Sequence, residues 1–160
     1  MADAGDVAAY RSATPHDAGA IAEMEQVVFE SGAWSENSVD LELMAPGRVV
    51  VVAEHENALV GYASAGVIAD VADLTRIAVR PADRREGVGT ALLAALLEAA
   101  AERGAERMML EVADTNQPAL AFYVVSGFVE IARRRDYYGR GADAVVMELA
   151  PLTGRDSLDP

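Results

Sequence analysis

The sequence predicts a mixed α/β (α+β) fold in one domain: a sheet of about six or seven strands with about four helices on its faces. Strand-like and helix-like apolar patterns follow one another in the order β-α-α-β-β-β-α-β-α-β-β. Residues 74–112 form a strand-loop-helix-strand unit, a crossover that is right-handed and makes its two strands parallel. The 160 residues suit a single core. We expect one domain over residues 1–150 and a flexible polar tail over residues 151–160.

Four helices are expected where apolar residues recur at helical spacing behind a residue able to cap the free amide groups of a first turn. Thr14 caps the first helix, with Pro15 at its first position and Asp17 completing a capping box. The other three are a helix capped by Ser35 or Asn37 and ended by Pro46-Gly47, residues 90–103 ended by Gly104, and residues 117–125 capped by Asn116 and ended by Gly127.

Strands are expected in seven short apolar runs, several of them rich in β-branched residues and bounded by turn residues. These runs are residues 10–13, 49–53, 59–67, 74–79, 107–112, 128–133 and 144–149. The second and third strands form a hairpin across the turn His55-Glu56-Asn57. No repeat or linker interrupts this order, so no second domain is expected.

The charge balance is strongly acidic. The chain has 26 Asp and Glu residues against 13 Arg and no Lys, for a net charge of −13. Such a surface offers nucleic acid no broad basic face. Acidity without lysine suits a halophilic source, because salt screens the self-repulsion of a highly charged protein. Codon bias in a GC-rich mesophile also replaces Lys with Arg, and this alternative stays open.

Several classes of protein are excluded by what the sequence lacks. Without cysteine there is no disulfide framework, no thiolate nucleophile and no Cys-type zinc site, and no other metal-ligand pattern is present. No stretch is apolar enough to span a membrane, and the N-terminus lacks a basic-then-apolar signal. We therefore expect a cytoplasmic protein with no metal, no membrane association and no nucleic-acid partner.

A phosphate-binding loop is predicted after the strand that ends at Val79. Here Arg84-Arg85-Glu86-Gly87-Val88-Gly89-Thr90 enters a leucine-rich helix, and a helix N-terminus leaves backbone N–H groups free to bind an anion. The two glycines allow close approach, and the two arginines add bidentate charge. The segment is neither a G-x-x-x-x-G-K-[ST] loop nor a dinucleotide fingerprint, because it lacks Lys and a third Gly. It predicts a phosphorylated cofactor; the alternative is a glycine-softened helix start.

Two side chains in apolar segments are candidates for acid–base chemistry. Glu111 interrupts the apolar strand 108–112, so its side chain lies either in a cleft or on the outer, solvated face. Tyr123 lies on the helix that follows Asn116, where core packing is the alternative to a role in a cleft. A phenol in a cleft could protonate a departing thiolate, since the ordinary pKa of tyrosine, about 10, is only one or two units above that of a thiol, about 8.5.

Three segments together resemble the GNAT acetyltransferases and, among them, the RimI family. Residues 84–93 are similar to the R-x-x-G-x-G…A-L-L pyrophosphate loop and helix that GNAT enzymes use to bind acetyl-coenzyme A. The RimI patterns L-E-V-x-x-[ST]-N…Y…G-F and R-x-x-Y-Y…D-A…M, with an early W-S, are matched by Leu110-Glu111-Val112, Thr115-Asn116, Tyr123, Gly127-Phe128, Arg134, Tyr137-Tyr138, Asp143-Ala144, Met147 and Trp34-Ser35.

The resemblance spans roughly residues 10–150 and implies the GNAT fold, in which a mostly antiparallel sheet has a parallel central pair. It implies acetyl-CoA as co-substrate, no metal, and transfer of the acetyl group to the α-amino group of a protein N-terminus, such as a ribosomal protein alanine. A monomer or weak dimer acting on a protein or peptide is expected. Ala113 and Ala142 stand where the family often has Arg and Glu, and these departures bear on peptide recognition.

The resemblance also implies roles by position. Glu111 aligns with the general base and Tyr123 with the general acid. The expected cofactor-binding residues are Ile77, Ala78, Val79, Arg84, Arg85, Glu86, Gly87, Val88, Gly89, Thr90 and Asn116. Trp34, Tyr137 and Tyr138 are expected to shape the acceptor pocket. Two alternatives stay open: a GNAT enzyme for a small amine or a lysine side chain, and a non-catalytic acyl-CoA-binding subunit.

Overall fold

The computed structural model describes residues 7–84 and 86–152, which form one seven-stranded sheet in the order β1-β2-β3-β4-β5-β7-β6. The strands are β1 (Ala9–Ser12), β2 (Arg48–His55), β3 (Ala58–Ile68), β4 (Val71–Val79), β5 (Arg107–Ala113), β6 (Val129–Arg134) and β7 (Ala144–Leu149). The helices are α1 (Ala18–Phe29), α2 (Glu36–Met44), α3 (Val88–Glu102) and α4 (Gln117–Val125). In the described part of the chain, no helix is long and apolar enough to cross a membrane.

The sheet is antiparallel except at its centre, where β4 and β5 run parallel, as the crossover predicts. These two strands pair only over Val71–Asp73 and Arg107–Met109. Beyond this point they separate and open a wedge at the carboxyl end of both strands. Among the described residues, no strand pairs with the edge of residues 74–79 that faces β5, so a ligand can reach the backbone there.

A β-bulge at Thr75 changes which side chains of β4 face each layer. Ser64 of β3 pairs with Arg76 and Ala65 pairs with Leu74, so Thr75 is skipped. As a result Leu74 and Ile77, three residues apart, both pack toward α3. Arg76 instead faces α1. A bulge next to a ligand cleft commonly re-aims a side chain in this way.

The sheet is covered on both faces. One core lies between the sheet and α3, where Leu92, Leu96 and Ala100 are fully buried. The second lies under α1 and α2 and includes Ile21 and Val39. The close seat of α3 depends on Gly61 of β3, because an added Cβ would lie 2.7 Å from Leu92 Cδ1 and 2.9 Å from a backbone oxygen of β4.

The predicted strands and helices are confirmed, with shifts at most of their ends. Helix α3 begins at Val88 rather than at residue 90, because Gly87 adopts a φ of 83° and starts the helix there. Strand β4 begins at Val71 rather than Leu74, because a tight turn joins it to β3. Ser35, not Asn37, caps α2 and accepts the Ser38 N–H at 3.1 Å.

A further difference concerns the tail. Leu152 lies in the stretch expected to be flexible, yet its side chain is buried against the α3 core. Its N–H also donates to the Glu106 carbonyl oxygen at 2.9 Å. The packed domain therefore extends past residue 150, and the rest of the expected tail, residues 153–160, lies outside the described residues.

Candidate active site

The wedge between β4 and β5 opens into a cleft of about 630 Å³. It is walled by the free edge of β4, by β5, by the start of α3, and by residues of α1 and α4. The predicted site residues that line it are Ile77, Ala78, Val79, Arg84, Gly89, Glu111, Asn116, Tyr123 and Tyr138. The fold therefore brings the proposed cofactor and acid–base residues, separated by up to 61 positions in the chain from Ile77 to Tyr138, into one concave site.

The N-terminus of α3 forms the end of the cleft that the sequence predicts to bind an anion. Gly87 is the N-cap in a left-handed conformation and has no side chain to cap the first-turn N–H groups, which remain available to a ligand. Arg84 Nε donates to the Val79 carbonyl oxygen at 3.1 Å, and this bond fixes the guanidinium at the cleft wall. Arg85 lies outside the described residues, so its expected role stays a prediction.

Not every residue of the predicted loop faces the cleft. Val88 is buried in the α3 core, and Thr90 is exposed away from the cleft. Glu86 lines a separate cavity of about 210 Å³ beside Tyr10 and His55. Asn116 both lines the cleft and accepts the Ala119 N–H at 3.3 Å, so its capping role and its place in the site coexist.

Glu111 faces away from the core but toward the cleft. Its neighbours Leu110 and Val112 pack with α3, so alternation along β5 turns Glu111 to the opposite face. Its side chain is 31% exposed, and Oε1 lies 3.3 Å from Arg134 Nη2. The sequence left open whether Glu111 faces solvent or a cleft. In the structure it is on the outer face of β5, and the cleft lies on that face.

Tyr123 is a core residue that also reaches the cleft. Its ring makes edge contacts with Phe122 and Phe128 at centroid distances of 5.3 and 5.6 Å. The residue is 7% exposed, and burial raises the pKa of Tyr123 to about 12. The phenol therefore stays protonated through the neutral range. The phenol is also a weaker acid than an ordinary tyrosine, so full proton transfer to a thiolate costs more free energy than the ordinary pKa implies.

The β6–β7 loop carries the two tyrosines expected to shape the acceptor pocket. Tyr138 lines the cleft, and burial raises its pKa. Tyr137 stacks on the Arg134 guanidinium, 5.3 Å from its ring centre. The loop is shaped by Asp143, whose Oδ1 accepts the Asp136 N–H at 2.9 Å. The late D-A motif thus acts locally by holding the loop.

Trp34 does not line the cleft directly. Its ring lies 4.6 Å from the Arg76 guanidinium, and Arg76 itself is at the cleft wall. Arg76 and Glu25 were not predicted from the sequence, and Arg134 was named only as part of a motif. Glu25 had a usable signal, because it falls on the apolar face of α1 four residues after Ile21, where a carboxylate needs a buried partner.

The part of the chain that the structure describes holds no candidate metal centre beside this cleft. In residues 7–84 and 86–152, no group of three or more His, Asp or Glu side chains is placed to hold a metal ion. The cleft instead combines a helix N-terminus, an arginine, a free strand edge, a carboxylate and a phenol. This set can bind a phosphorylated, extended ligand and move protons at its reactive end.

Comparison with known proteins gives a consistent result. The family model described as Acetyltransferase (GNAT) family matches residues 10–128. A protein of Bacillus subtilis (strain 168), provisionally named a ribosomal protein bS18-alanine N-acetyltransferase, is 32% identical over 142 residues, covering 88% of this chain and 93% of that protein.

The ribosomal protein bS18-alanine N-acetyltransferase of Escherichia coli (strain K12) is 40% identical over 95 residues, 57% of this chain and 64% of that protein, so the match spans less than two thirds of its length. The crystal structure of the E. coli enzyme aligns over 96% of this chain and 100% of that chain, with a TM-score of 0.81 and 29% identity. An aminoglycoside 6'-N-acetyltransferase complexed with coenzyme A has a TM-score of 0.82 over 92% and 98% of the two chains; at 17% identity this shows the fold alone.

Proposed function

We propose that this chain, which belongs to the acetyltransferase (GNAT) family and is RimI-like within it, acetylates the α-amino group at the N-terminus of a protein. Acetyl-CoA supplies the acetyl group, and the amine attacks the thioester directly. The names of its relatives favour a ribosomal protein alanine as acceptor. The observation that carries the proposal is the placement of Glu111 and Tyr123 in one cleft at the separation of β4 and β5.

The cleft fits acetyl-CoA at both ends. Gly87 and the first turn of α3 offer N–H groups to the pyrophosphate, and Arg84 adds charge beside them. Residues 77–79 present a free strand edge, whose backbone groups can pair with the amides of the pantetheine arm. A backbone N–H at this separation would also stabilise the oxyanion that forms on the thioester carbonyl.

Glu111 is the proposed general base. An acceptor α-amine has an ordinary pKa of about 7.7 to 8.0, so it needs only modest help to lose its proton near neutral pH. Glu111 takes this proton, directly or through one water, and the neutral amine attacks. Arg134 competes with the incoming amine for this carboxylate, because its Nη2 lies 3.3 Å from Glu111 Oε1.

Tyr123 is the proposed general acid. A phenol with a pKa of about 12 opposite a thiol of about 8.5 leaves a gap of three to four units, or about 5 kcal/mol, against complete transfer in the free protein. Tyr123 therefore acts first as a hydrogen-bond donor to the developing thiolate, and the proton follows as the C–S bond breaks. Acid–base assistance contributes roughly 10² to 10⁴-fold, and positioning supplies much of the remainder.

The acceptor class is tested by locating the acetyl group on a mixed set of amines. Acetyl-CoA would be offered with peptides that begin with Ala, Ser or Met and carry an internal lysine, together with a polyamine and an aminoglycoside, at low and high salt. The expected product is acetylated on the peptide α-amine, as mass spectrometry would show. Acetylation confined to lysine side chains, the polyamine or the aminoglycoside would contradict the proposal.

A further inference from the structure

Arg76 is held on most sides of its guanidinium while lining the active-site cleft. Its Nε donates to Glu25 Oε1 at 3.1 Å, and its Nη2 donates to the Gly32 carbonyl oxygen at 2.7 Å. Its Cζ lies 4.2 Å from the ring centre of Phe29 and 4.6 Å from that of Trp34. Only 20% of the side chain is exposed. An arginine bound this way has one fixed orientation, so the direction of any N–H group without a partner is also fixed before a ligand binds.

Glu25 and Tyr62 fix that orientation from the buried side of Arg76. The Tyr62 hydroxyl donates to the same Glu25 oxygen that Arg76 contacts, and both residues are fully buried. Burial raises the pKa of Tyr62 well above its ordinary range, so it remains a neutral donor. A buried carboxylate is costly without a cation, and Arg76 supplies the one that Glu25 contacts in the described structure. The cluster joins α1, β3 and β4 at the point where Arg76 lines the cleft.

Arg76 has one donor group to spare. Among the described side chains and backbone, its Nη1 has no hydrogen-bond partner, and the residue lines the same cleft as Glu111. We propose that Arg76 is a specificity-determining residue whose Nη1 donates to an oxygen beside the reacting amine of the acceptor. This inference rests on the proposed function and sharpens it, because it gives the site a means of recognising an α-amine.

The chemistry separates two classes of amine. An N-terminal residue carries its first carbonyl oxygen next to the α-carbon, within reach of a donor at the cleft wall. A polyamine or a lysine side chain has only CH₂ groups at that position. When such an amine binds, the Arg76 donor is desolvated without a partner, and sites built around a hydrogen bond reject analogues that lack it. Arg76 therefore favours peptide N-termini over alkyl amines.

Trp34 makes this testable by binding alone. It is the only tryptophan in the chain, and it lies on the Arg76 guanidinium. Its fluorescence in the CoA-loaded protein would be titrated with an Ala-starting peptide amide and with the matched amine in which CH₂ replaces the first carbonyl. The wild type is expected to bind the peptide about ten- to a hundredfold more tightly. Arg76→Met should bind both ligands with similar affinity.

Controls separate recognition from folding. Arg76→Lys keeps the charge but loses the planar fork, so its preference should be intermediate. Arg107→Met removes an arginine that pairs with Glu148 and does not line the cleft, and it should retain the wild-type preference. CoA affinity should be unchanged in all three variants. If Arg76→Met lowers the affinity for both ligands equally, or leaves the preference intact, the inference is wrong.

The outcome is independent of turnover. If the carbonyl-dependent affinity is present and lost in Arg76→Met, yet no peptide is acetylated on its N-terminus, the inference stands and the proposed acceptor fails. If peptides are acetylated on the α-amine equally well by Arg76→Met and wild type, the proposed acceptor stands and the inference fails. The ratio of kcat/KM for the peptide and the alkyl amine gives the same discrimination in the active enzyme.

Discussion

Glu111 Oε1 and Arg134 Nη2 lie 3.3 Å apart, although their strands do not pair with each other. Strand β7 lies between β5 and β6, and Arg134 reaches across it to the carboxylate. Arg134 also stacks on Tyr137 in the β6–β7 loop, which we call the acceptor loop because we propose that it contacts the acceptor. The proposed base is therefore engaged by a cation before an acceptor arrives, and an incoming ammonium group must take the place of that cation.

The first prediction concerns this ion pair. Arg134→Gln removes the competing cation, so the acceptor KM should fall by about two- to fivefold at low salt, since an exposed ion pair is worth up to about 1 kcal/mol. The effect should shrink in high salt, which screens it. Arg107→Gln is the control, because Arg107 pairs with Glu148 and does not line the cleft. A higher acceptor KM in Arg134→Gln would show that the arginine helps to bind the acceptor instead.

The second prediction concerns the anion-binding end of the cleft. Arg84→Gln should raise the KM for acetyl-CoA by about ten- to a hundredfold, because a charge-assisted hydrogen bond contributes about 1.5–3 kcal/mol. The acceptor KM should not change. Arg103→Gln, at the far end of the same helix, should leave both values at the wild-type level. Steady-state kinetics with each substrate varied in turn would check this, and an unchanged acetyl-CoA KM would remove Arg84 from the cofactor site.

The third prediction concerns the acceptor loop. Asp143→Ala removes the oxygen that accepts the Asp136 N–H, so the turn that carries Tyr137 and Tyr138 should loosen. We expect the acceptor KM to rise about three- to tenfold, in line with one neutral hydrogen bond of roughly 1 kcal/mol, while the acetyl-CoA KM stays constant. Glu130→Ala, on the adjacent strand, serves as control. Equal changes in both KM values would point to a general loss of folding.

The fourth prediction is a pH dependence of stability. The pKa of Tyr123 is about 12 in the folded protein against an ordinary 10.0. The unfolded chain therefore releases this proton first, so the stabilisation is complete below pH 10 and is lost as the pH rises from 10 to 12. Two units correspond to about 3 kcal/mol. Denaturation at about pH 9 and about pH 11.5 should show a smaller loss in Tyr123→Phe than in wild type. Tyr137→Phe, with an exposed ring, should behave like the wild type.

Local patterns predicted most of the fold. Strand runs, capping residues and glycine stops located seven strands and four helices, and the crossover rule predicted the parallel pair of β4 and β5. The errors lie at element ends, where backbone conformation decides. Gly87 has a positive φ, and α3 therefore begins two residues before the predicted start. Leu152 is buried in the core, although the polar residues that follow it predict an exposed tail.

The candidate site was less predictable, because its contacts depend on tertiary packing. The segments that contain Glu111 and Tyr123 could be recognised from sequence, and the structure places both residues in one cleft. Their catalytic roles stay predictions. The pairing of Glu25 with Arg76 joins residues 51 positions apart and depends on the bulge at Thr75. No spacing rule within one element could have found it.

The most direct measurement compares acetyl transfer to a short Ala-starting peptide by wild type, Glu111→Gln and Tyr123→Phe at saturating acetyl-CoA. Mass spectrometry would locate the acetyl group, and calorimetry would check CoA binding. The account predicts α-amine acetylation by the wild type and a loss of about 10² to 10⁴-fold in kcat in each variant, with CoA affinity unchanged. Wild-type rates in both variants, or no acetylated N-terminus from the wild type, would contradict it.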